Sequence, residues 1–481
     1  MRRLSKWLVY ATGLAAGACA LVVLVFALQA RARLPDLEAW HRVELIDFRA
    51  GSADAPTTFA EYRALEERLF ADLRTRLLQD PAAADAQALS RFNPDSVVAR
   101  IAWDTVYNRS FELAPEGEPR GSALLVHGLT DSPYSLRGIA ETLQAQGYYV
   151  VVLRMPGHGT APSGLVDVSW EDWYAAVELA ARHAATKAGP GKPFVAGGHS
   201  TGAALVTLYS LQSLEDPELP RPEDLYLVSA AIGISPFAVL TNVLSGLSFI
   251  PYFEKSRWMD VLPEYDPYKY NSFPVNAANQ VHSLTHVVQE RLDELEGADN
   301  LAAMPRVHLF QSIVDSTVTA DEVVRGLLAR LPAGGHELVV FDINREQMLE
   351  GFVARGPLDD LERLRAAVDL PFRITLVANA SADDTAVAAY VRAPGTRAVT
   401  IEALPYAWPH GVFSVGHVSL PFPPDDPVYG LVPPPGTTYN LGGIAARGES
   451  GALVVGLGTF TRLRSNPFFD VITARIVETL P

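Results

Sequence analysis

Cysteine is almost missing from this chain: of 481 residues, Cys19 is the single one. That excludes an internal disulfide, and suggests neither a zinc cluster nor a cysteine protease. Positive charge is also short, with 39 Lys and Arg against 55 Asp and Glu, a formal net charge of −16. Nucleic-acid binding rewards basic surface, so that class is set aside. The acidic balance otherwise concerns mainly solubility. Internal repeats of the length that builds solenoids are absent. Hydrophobic residues make up 48% and charged residues 20%, the ordinary proportions of a chain that buries a core.

The first fifty residues hold one long uncharged, apolar run. From Trp7 to Ala30 the sequence reads WLVYATGLAAGACALVVLVFALQA. At about 24 residues it exceeds the roughly 20 needed to cross a bilayer core, and the 7–15 or so of a cleaved signal's apolar stretch. The expectation is a retained single-span anchor over residues 1–33. A cleaved signal and lipidation at Cys19 are the alternatives. Arg2, Arg3 and Lys6 before the span, against Arg31 and Arg33 after it, slightly favour the N-terminus inside. The remainder then faces the periplasm or another extracytoplasmic space.

Residues 34–98 read as a helical stalk or preface. Phe59, Tyr62, Leu65, Leu69, Leu73 and Leu77 recur at three- and four-residue intervals, one apolar helix face that is expected to pack on the main domain. From residue 99 to 481 the text alternates between short apolar runs and amphipathic segments. SALLVHG, YYVVVLRMPGHG, PFVAGG and DLYLVSAAIGIS read as strands. SLRGIAETLQAQG and the segment from Ser169, a helix N-cap, to Gly189 read as helices. Near-continuous apolar strands between amphipathic helices predict an α/β fold with a mostly parallel sheet covered on both faces. The alternation pauses over about 237–304, too long for a simple connection, which reads as an inserted cap.

Within FVAGGHSTGAAL stands the pentapeptide Gly198-His199-Ser200-Thr201-Gly202. Alone it is weak, since ordinary glycine and serine frequencies produce it in roughly one chain of this length in seven. Its context is stronger. An apolar strand runs into Gly198 and a helical pattern starts after Ser200, so the hydroxyl stands at the carboxyl edge of the sheet. The Thr201 N–H points into the same space. Upstream, the loop after LLVHG offers the N–H of Leu129 as a second donor to an oxyanion. A serine nucleophile needs a base, and the base an acid, in chain order Ser, Asp or Glu, then His. Asp315 ends the strand-like RVHLFQSIVD; a helix N-cap is its blander role, and Asp383 and Asp384 are reserves. His127 and His158 precede Ser200 and are read as structural or rim residues. His336 sits at the wrong end of a strand. His417 is preferred as base to His410, which directly follows Pro409.

LLVHGLTDSPYS, LRMPGHGTAPSG, SWEDWYAAV, GGHSTGA and VDSTVTADEV follow one another at fitting spacing. In this the sequence resembles the α/β-hydrolase superfamily, in its branch of monoacylglycerol-lipase-like and serine-aminopeptidase-like hydrolases, over roughly residues 105–320. The resemblance implies a Ser200–Asp315–His417 triad, an oxyanion hole from the N–H groups of Leu129 and Thr201, a cap over the pocket, and no metal or cofactor. On this reading the protein is a carboxylic ester hydrolase working through an acyl-enzyme; the apolar and aromatic cap residues Phe237, Leu240, Leu244, Leu247, Phe249, Ile250, Tyr252, Phe253 and Trp258, which are either the cap's own core or a seat for an acyl chain, point with the anchor to lipid-derived or other apolar esters. An amidase or peptidase, and a membrane-tethered binding module without catalysis, are the alternatives. The sequence departs from the family in the anchor and preface, and in the roughly 100 residues between Asp315 and His417.

Overall fold

The computed structural model describes residues 32–233, 251–298, 300–444, 449 and 453–481. The expected anchor from Trp7 to Ala30, with Cys19, lies outside these. No helix among the described residues is long and apolar enough to cross a membrane.

The apolar runs form strands for the reason their composition suggests: no solvated face is available to them. β1 (Phe111–Leu113), β2 (Gly121–Val126), β3 (Tyr148–Leu153), β4 (Phe194–His199), β5 (Asp224–Val228), β6 (Arg306–Ser312), β7 (Glu337–Phe341), β8 (Arg373–Asn379), β9 (Ala386–Arg392) and β10 (Val399–Ala407) make one sheet in the order β1-β3-β2-β4-β5-β6-β7-β8-β9-β10. From β3 through β8 all neighbours are parallel; β1, β9 and β10 pair antiparallel. β2, β4, β5 and β7 are buried along their whole length. That is the signature of a parallel sheet covered on both faces.

The covering helices are α1 (Phe59–Arg74), α2 (Arg137–Ala145), α3 (Trp170–Ala188), α4 (Thr201–Ser213), α5 (Val275–Gly297), α6 (Arg355–Ala366) and α7 (Phe469–Thr479). Their ends follow local chemistry. Ser169 caps α3 in a box with Asp172, and Gly189 takes φ 93° to stop it. One core lies on the side of α3, α4 and α5; the other lies beneath α2 and α7.

The preface is built into the domain. Phe59 and Tyr62 of α1 enter the main core, and Leu69 and Leu73 join Trp40, Phe92 and Trp103 in an adjoining cluster. A buried ion cluster fastens it to the end of β3. Arg154 meets Asp47 through both terminal nitrogens at 2.9 and 2.8 Å and Glu66 through Nε at 2.6 Å. Tyr62 donates to the Arg154 carbonyl at 2.6 Å.

Within the expected cap, Phe237, Leu240, Leu244, Leu247, Phe249 and Ile250 lie outside the described residues, as do the side chains of Tyr252 and Phe253. The described part belongs to the body of the fold. Leu284, Val288 and Leu292 of α5 sit in the main core, and Trp258 is buried among Leu37, Val166 and Val261.

The long interval before His417 is an excursion that returns to where it left. The chain departs β7 at Asp342, lays down α6 and β8 to β10, and comes back through an antiparallel bridge between Ile343 and Ser414. Asn344 N–H donates to the Phe413 carbonyl at 2.7 Å and its side-chain amide to Val412 at 2.9 Å. The excursion is a sheet extension spliced in after β7. His417 therefore follows the end of β7 as closely in space as if the excursion were absent.

Candidate active site

Ser200 occupies the turn between β4 and α4 with φ 54° and ψ −114°, a conformation non-glycine residues avoid. Three backbone bonds over-determine it. Its N–H donates to Val228 at 2.9 Å, and its carbonyl accepts from Ala204 at 3.2 Å and Ala231 at 3.1 Å. The flanking glycines follow from contact. A Cβ on Gly202 would stand 2.0 Å from the Val126 carbonyl oxygen, and one on Gly198 2.4 Å from the Gly202 carbonyl carbon. The pentapeptide is thus a packing requirement at this turn.

His417 and Asp315 meet. His417 Nδ1 lies 2.8 Å from Asp315 Oδ2, and both side chains are buried. The other carboxylate oxygen accepts the N–H groups of Thr317 (2.8 Å) and Val318 (3.0 Å), and Gln311 donates to Oδ2 at 3.2 Å. Burial alone would push the Asp315 carboxyl up; His417 and the N–H donors outweigh it and hold it below its ordinary value. An ionised carboxylate fixes the imidazole with its proton on Nδ1, leaving Nε2 as the basic nitrogen. The loop carrying His417 is pinned: Ser312 donates to the Val415 carbonyl at 2.6 Å, and Gly416 N–H to Ser419 Oγ at 2.9 Å.

Ser200 reaches this pair through its neighbour. His199 Nε2 donates to the His417 carbonyl at 3.2 Å, and the two rings lie 5.0 Å apart. Among the described residues no hydrogen bond within 3.5 Å joins Ser200 Oγ to His417, a contact that such sites often complete only with substrate present. The loop after β2 packs on the same turn: a Cβ on Gly128 would lie 3.3 Å from that of Ser200. Among the described residues, the N–H groups of Leu129 and Thr201 have no acceptor, as an oxyanion hole requires.

The other histidines are placed elsewhere. His127 bonds the Gly128 carbonyl through Nδ1 (2.8 Å) and accepts the Met155 N–H on Nε2 (3.1 Å), so its ring is a strut. His158 is buried against Trp173, Nδ1 on the Pro156 carbonyl. His336 accepts the Val307 N–H at 3.0 Å at the amino end of β7. His410 is exposed in a turn, and so are Asp383 and Asp384.

Sequence reading did not anticipate one chain of charges beside the site. Lys269 Nζ lies 2.7 Å from Asp131 Oδ1, and Asp131 Oδ2 lies 3.3 Å from His199 Nδ1. Burial opposes the Asp131 charge, but Lys269 and His199 overcome it and hold its carboxyl far below the ordinary value. The link joins the loop of Gly128 and Leu129 to the residue before Ser200. No local motif marks it, because Lys269 comes from a distant segment. Among the described residues no group of three or more His, Cys, Asp or Glu is arranged to hold a metal ion.

Residues 117–327 match the family model described as serine aminopeptidase, S33. A thermostable monoacylglycerol lipase from Bacillus sp. (strain H-257) is 43% identical over 63 residues, 13% of this chain and 25% of that relative. The chain thus matches about a quarter of the length of that curated relative. Among solved structures, one of the metagenome-derived lipolytic enzymes LipS and LipT aligns at 21% identity and a TM-score of 0.38, covering 52% of this chain and 96% of its own. The monoacylglycerol lipase of Paleococcus ferrophilus aligns at 17% identity and 0.37, covering 48% and 88%. The parallel strand order, the strand–turn–helix at Ser200 and the family match over residues 117–327 give this chain an α/β-hydrolase fold.

Proposed function

We propose that the protein is a serine hydrolase that cleaves carboxylic esters of apolar, lipid-derived acyl groups. The observation that carries the reading is the 2.8 Å pair of His417 and Asp315 beside a serine held at φ 54°. In this mechanism Ser200 Oγ attacks the ester carbonyl while His417 Nε2 takes its proton. The carbonyl oxygen becomes an oxyanion facing the Leu129 and Thr201 N–H groups. The intermediate collapses, His417 returns the proton to the leaving alcohol, and an acyl-Ser200 remains. Water, deprotonated by His417, then releases the acid and restores the serine. The local match to a monoacylglycerol lipase supports an ester of a glyceride type as substrate. The matching family model bears a peptidase's description, which makes peptide amides the competing substrate. The Trp7–Ala30 run is assigned as a membrane tether, with the catalytic domain on the extracytoplasmic side.

The test is hydrolysis of p-nitrophenyl esters of graded chain length beside aminoacyl and peptidyl amides. Ester turnover that is lost in Ser200→Ala, with covalent labelling by a fluorophosphonate lost alongside it, is the expected result. Wild-type rates in Ser200→Ala would overturn the assignment. Amide turnover without ester turnover would make it a peptidase. A folded wild-type protein that neither labels nor turns over would be a binding module.

A further inference from the structure

One described cavity is lined by none of the residues of the candidate active site. It measures about 530 Å³ and lies within the excursion, between α6 and the sheet face of β7 to β10. None of Ser200, Asp315 or His417 lines it, so a role for this cavity does not rest on the hydrolase reading.

Register fixes its shape. Ile374 pairs with Arg392 and Leu376 with Tyr390 across β8 and β9; Arg392 pairs in turn with Val399, and Tyr390 with Ile401, across β9 and β10. Directly paired residues share one face of the sheet. The floor is therefore an apolar trough running from Ile374 toward Ala378, about 13 Å of strand. It continues outward onto Val399 and Ile401, which are 53% and 63% exposed. One end of this trough is cationic. Arg392 closes β9, Arg397 stands in the turn to β10, and Arg365 comes from the last turn of α6.

The charges there do not balance. The cavity wall holds Arg345, Arg365, Arg392 and Arg397 against one carboxylate, Asp342. Arg345 takes Asp342 at 3.0 Å and Glu350 besides; Arg365 lies 3.6 Å from Asp342. Arg392 is 8% exposed and, among the described residues, has no acidic partner within 4 Å. Its guanidinium donates only to the carbonyls of Arg365 (2.8 Å) and Leu364 (2.6 Å) at the end of α6. Arg397 is exposed and likewise has no acidic partner among the described residues. A buried guanidinium facing a cavity without a counter-charge is costly, and a planar anion relieves it with paired N–H donors. In a chain of net charge −16 such a locally cationic wall needs its own reason.

We propose that this cavity binds a long-chain monocarboxylate, its head between Arg392 and Arg397 and its chain along Ile374, Leu376 and Tyr390. The volume falls within the range of small-molecule sites. One charged head and one apolar trough match a single-headed amphiphile better than a polar metabolite or a peptide.

The test is titration of the full chain, held in phosphatidylcholine nanodiscs, with sodium dodecanoate below its micelle concentration. Partition into the disc is common to wild type and variants, so the difference between them reads the site. A saturable site in the wild type, weakened about tenfold in Arg392→Gln and in Arg397→Glu, is expected, since a charge-assisted bond of this kind is typically worth about that factor. Arg397 is on the surface, so Arg397→Glu keeps the test valid should Arg392→Gln fold poorly. Dodecyltrimethylammonium should show no such site. Identical isotherms in all three proteins, or equal binding of the cationic amphiphile, would overturn the proposal. So would variants that lose binding to phosphatidylglycerol vesicles while dodecanoate binding is unchanged, since the wall would then be a membrane contact.

Discussion

Ser200 sits in a backbone conformation worth about 1–3 kcal/mol of strain, tolerated because neighbours hold it. The neighbours are so close that the flanking glycines are legible in physical terms: any side chain at Gly202 meets the Val126 carbonyl oxygen at 2.0 Å. Gly202→Ala should therefore cost about 3 kcal/mol, as overpacking does, and lower ester turnover more than the stability loss explains. Urea unfolding beside steady-state kinetics checks this. Asp131 makes a different prediction. Its carboxylate sits between Lys269 and the His199 ring and so positions the loop that carries the Leu129 N–H. Asp131→Asn leaves Lys269 without its counter-charge and loosens that loop. The expected result is a kcat about tenfold lower with KM nearly unchanged, because a misplaced oxyanion donor is felt in the transition state. An equal loss in Asp131→Glu would mark the role as packing alone. The turn at Ser200 and the pairing of Asp315 with His417 were legible in the sequence from strand ends and chain order. Asp131, Lys269 and His199 were not, since their meeting depends on three segments whose proximity no spacing encodes.

The elements were legible where periodicity was strong. The run from Ser169 to Gly189 has a capping box, an amphipathic face and a terminal glycine, and it forms a helix with those ends. The interval from Asp315 to His417 was harder, because sequence distance hides a return. Ile343 bridging Ser414 shows why His417 can follow the end of β7 after so long a detour: the excursion's two ends are hydrogen-bonded to each other. The preface gave up its helix face readily but not its fastening. Arg154 is wholly buried and paired with Asp47 and Glu66, residues that nothing local ties to it. Removing the cation strands two carboxylates in the core, a change typically costing about 3–5 kcal/mol. Arg154→Met should accordingly lower the urea midpoint sharply and make α1 the first segment to lose amide-exchange protection. A triple change that also replaces Asp47 and Glu66 with uncharged residues should recover much of the loss, which separates the charge effect from a cavity effect.

At the scale of the whole molecule, buried histidines set the response to acid. His41, His127 and His336 share a design: one ring nitrogen accepts a backbone N–H, from Glu38, Met155 and Val307 respectively. A protonated ring cannot accept that bond. Burial lowers all three to about 4, with Arg42 adding to the effect at His41. Burial also holds His158 well below its ordinary value. The stability linked to these neutral rings is present above the ordinary histidine value of about 6.5 and is lost as pH falls toward 4, because the unfolded chain takes up the protons first. Glu264 opposes them. Burial raises its carboxyl to about 7, so its contribution is full at low pH and is lost as pH rises through about 7. Between pH 7.5 and 5 each of the three imidazoles costs about 2 kcal/mol, while protonating Glu264 returns about 2, so the histidines win. Urea midpoints measured at the two pH values should show that drop. His336→Asn offers its side-chain oxygen to the Val307 N–H but cannot take a proton. It should leave the stability at pH 7.5 nearly unchanged and reduce the drop at pH 5 by about 2 kcal/mol, one imidazole's share. An undiminished drop in that variant would assign the acid response to the carboxylates instead.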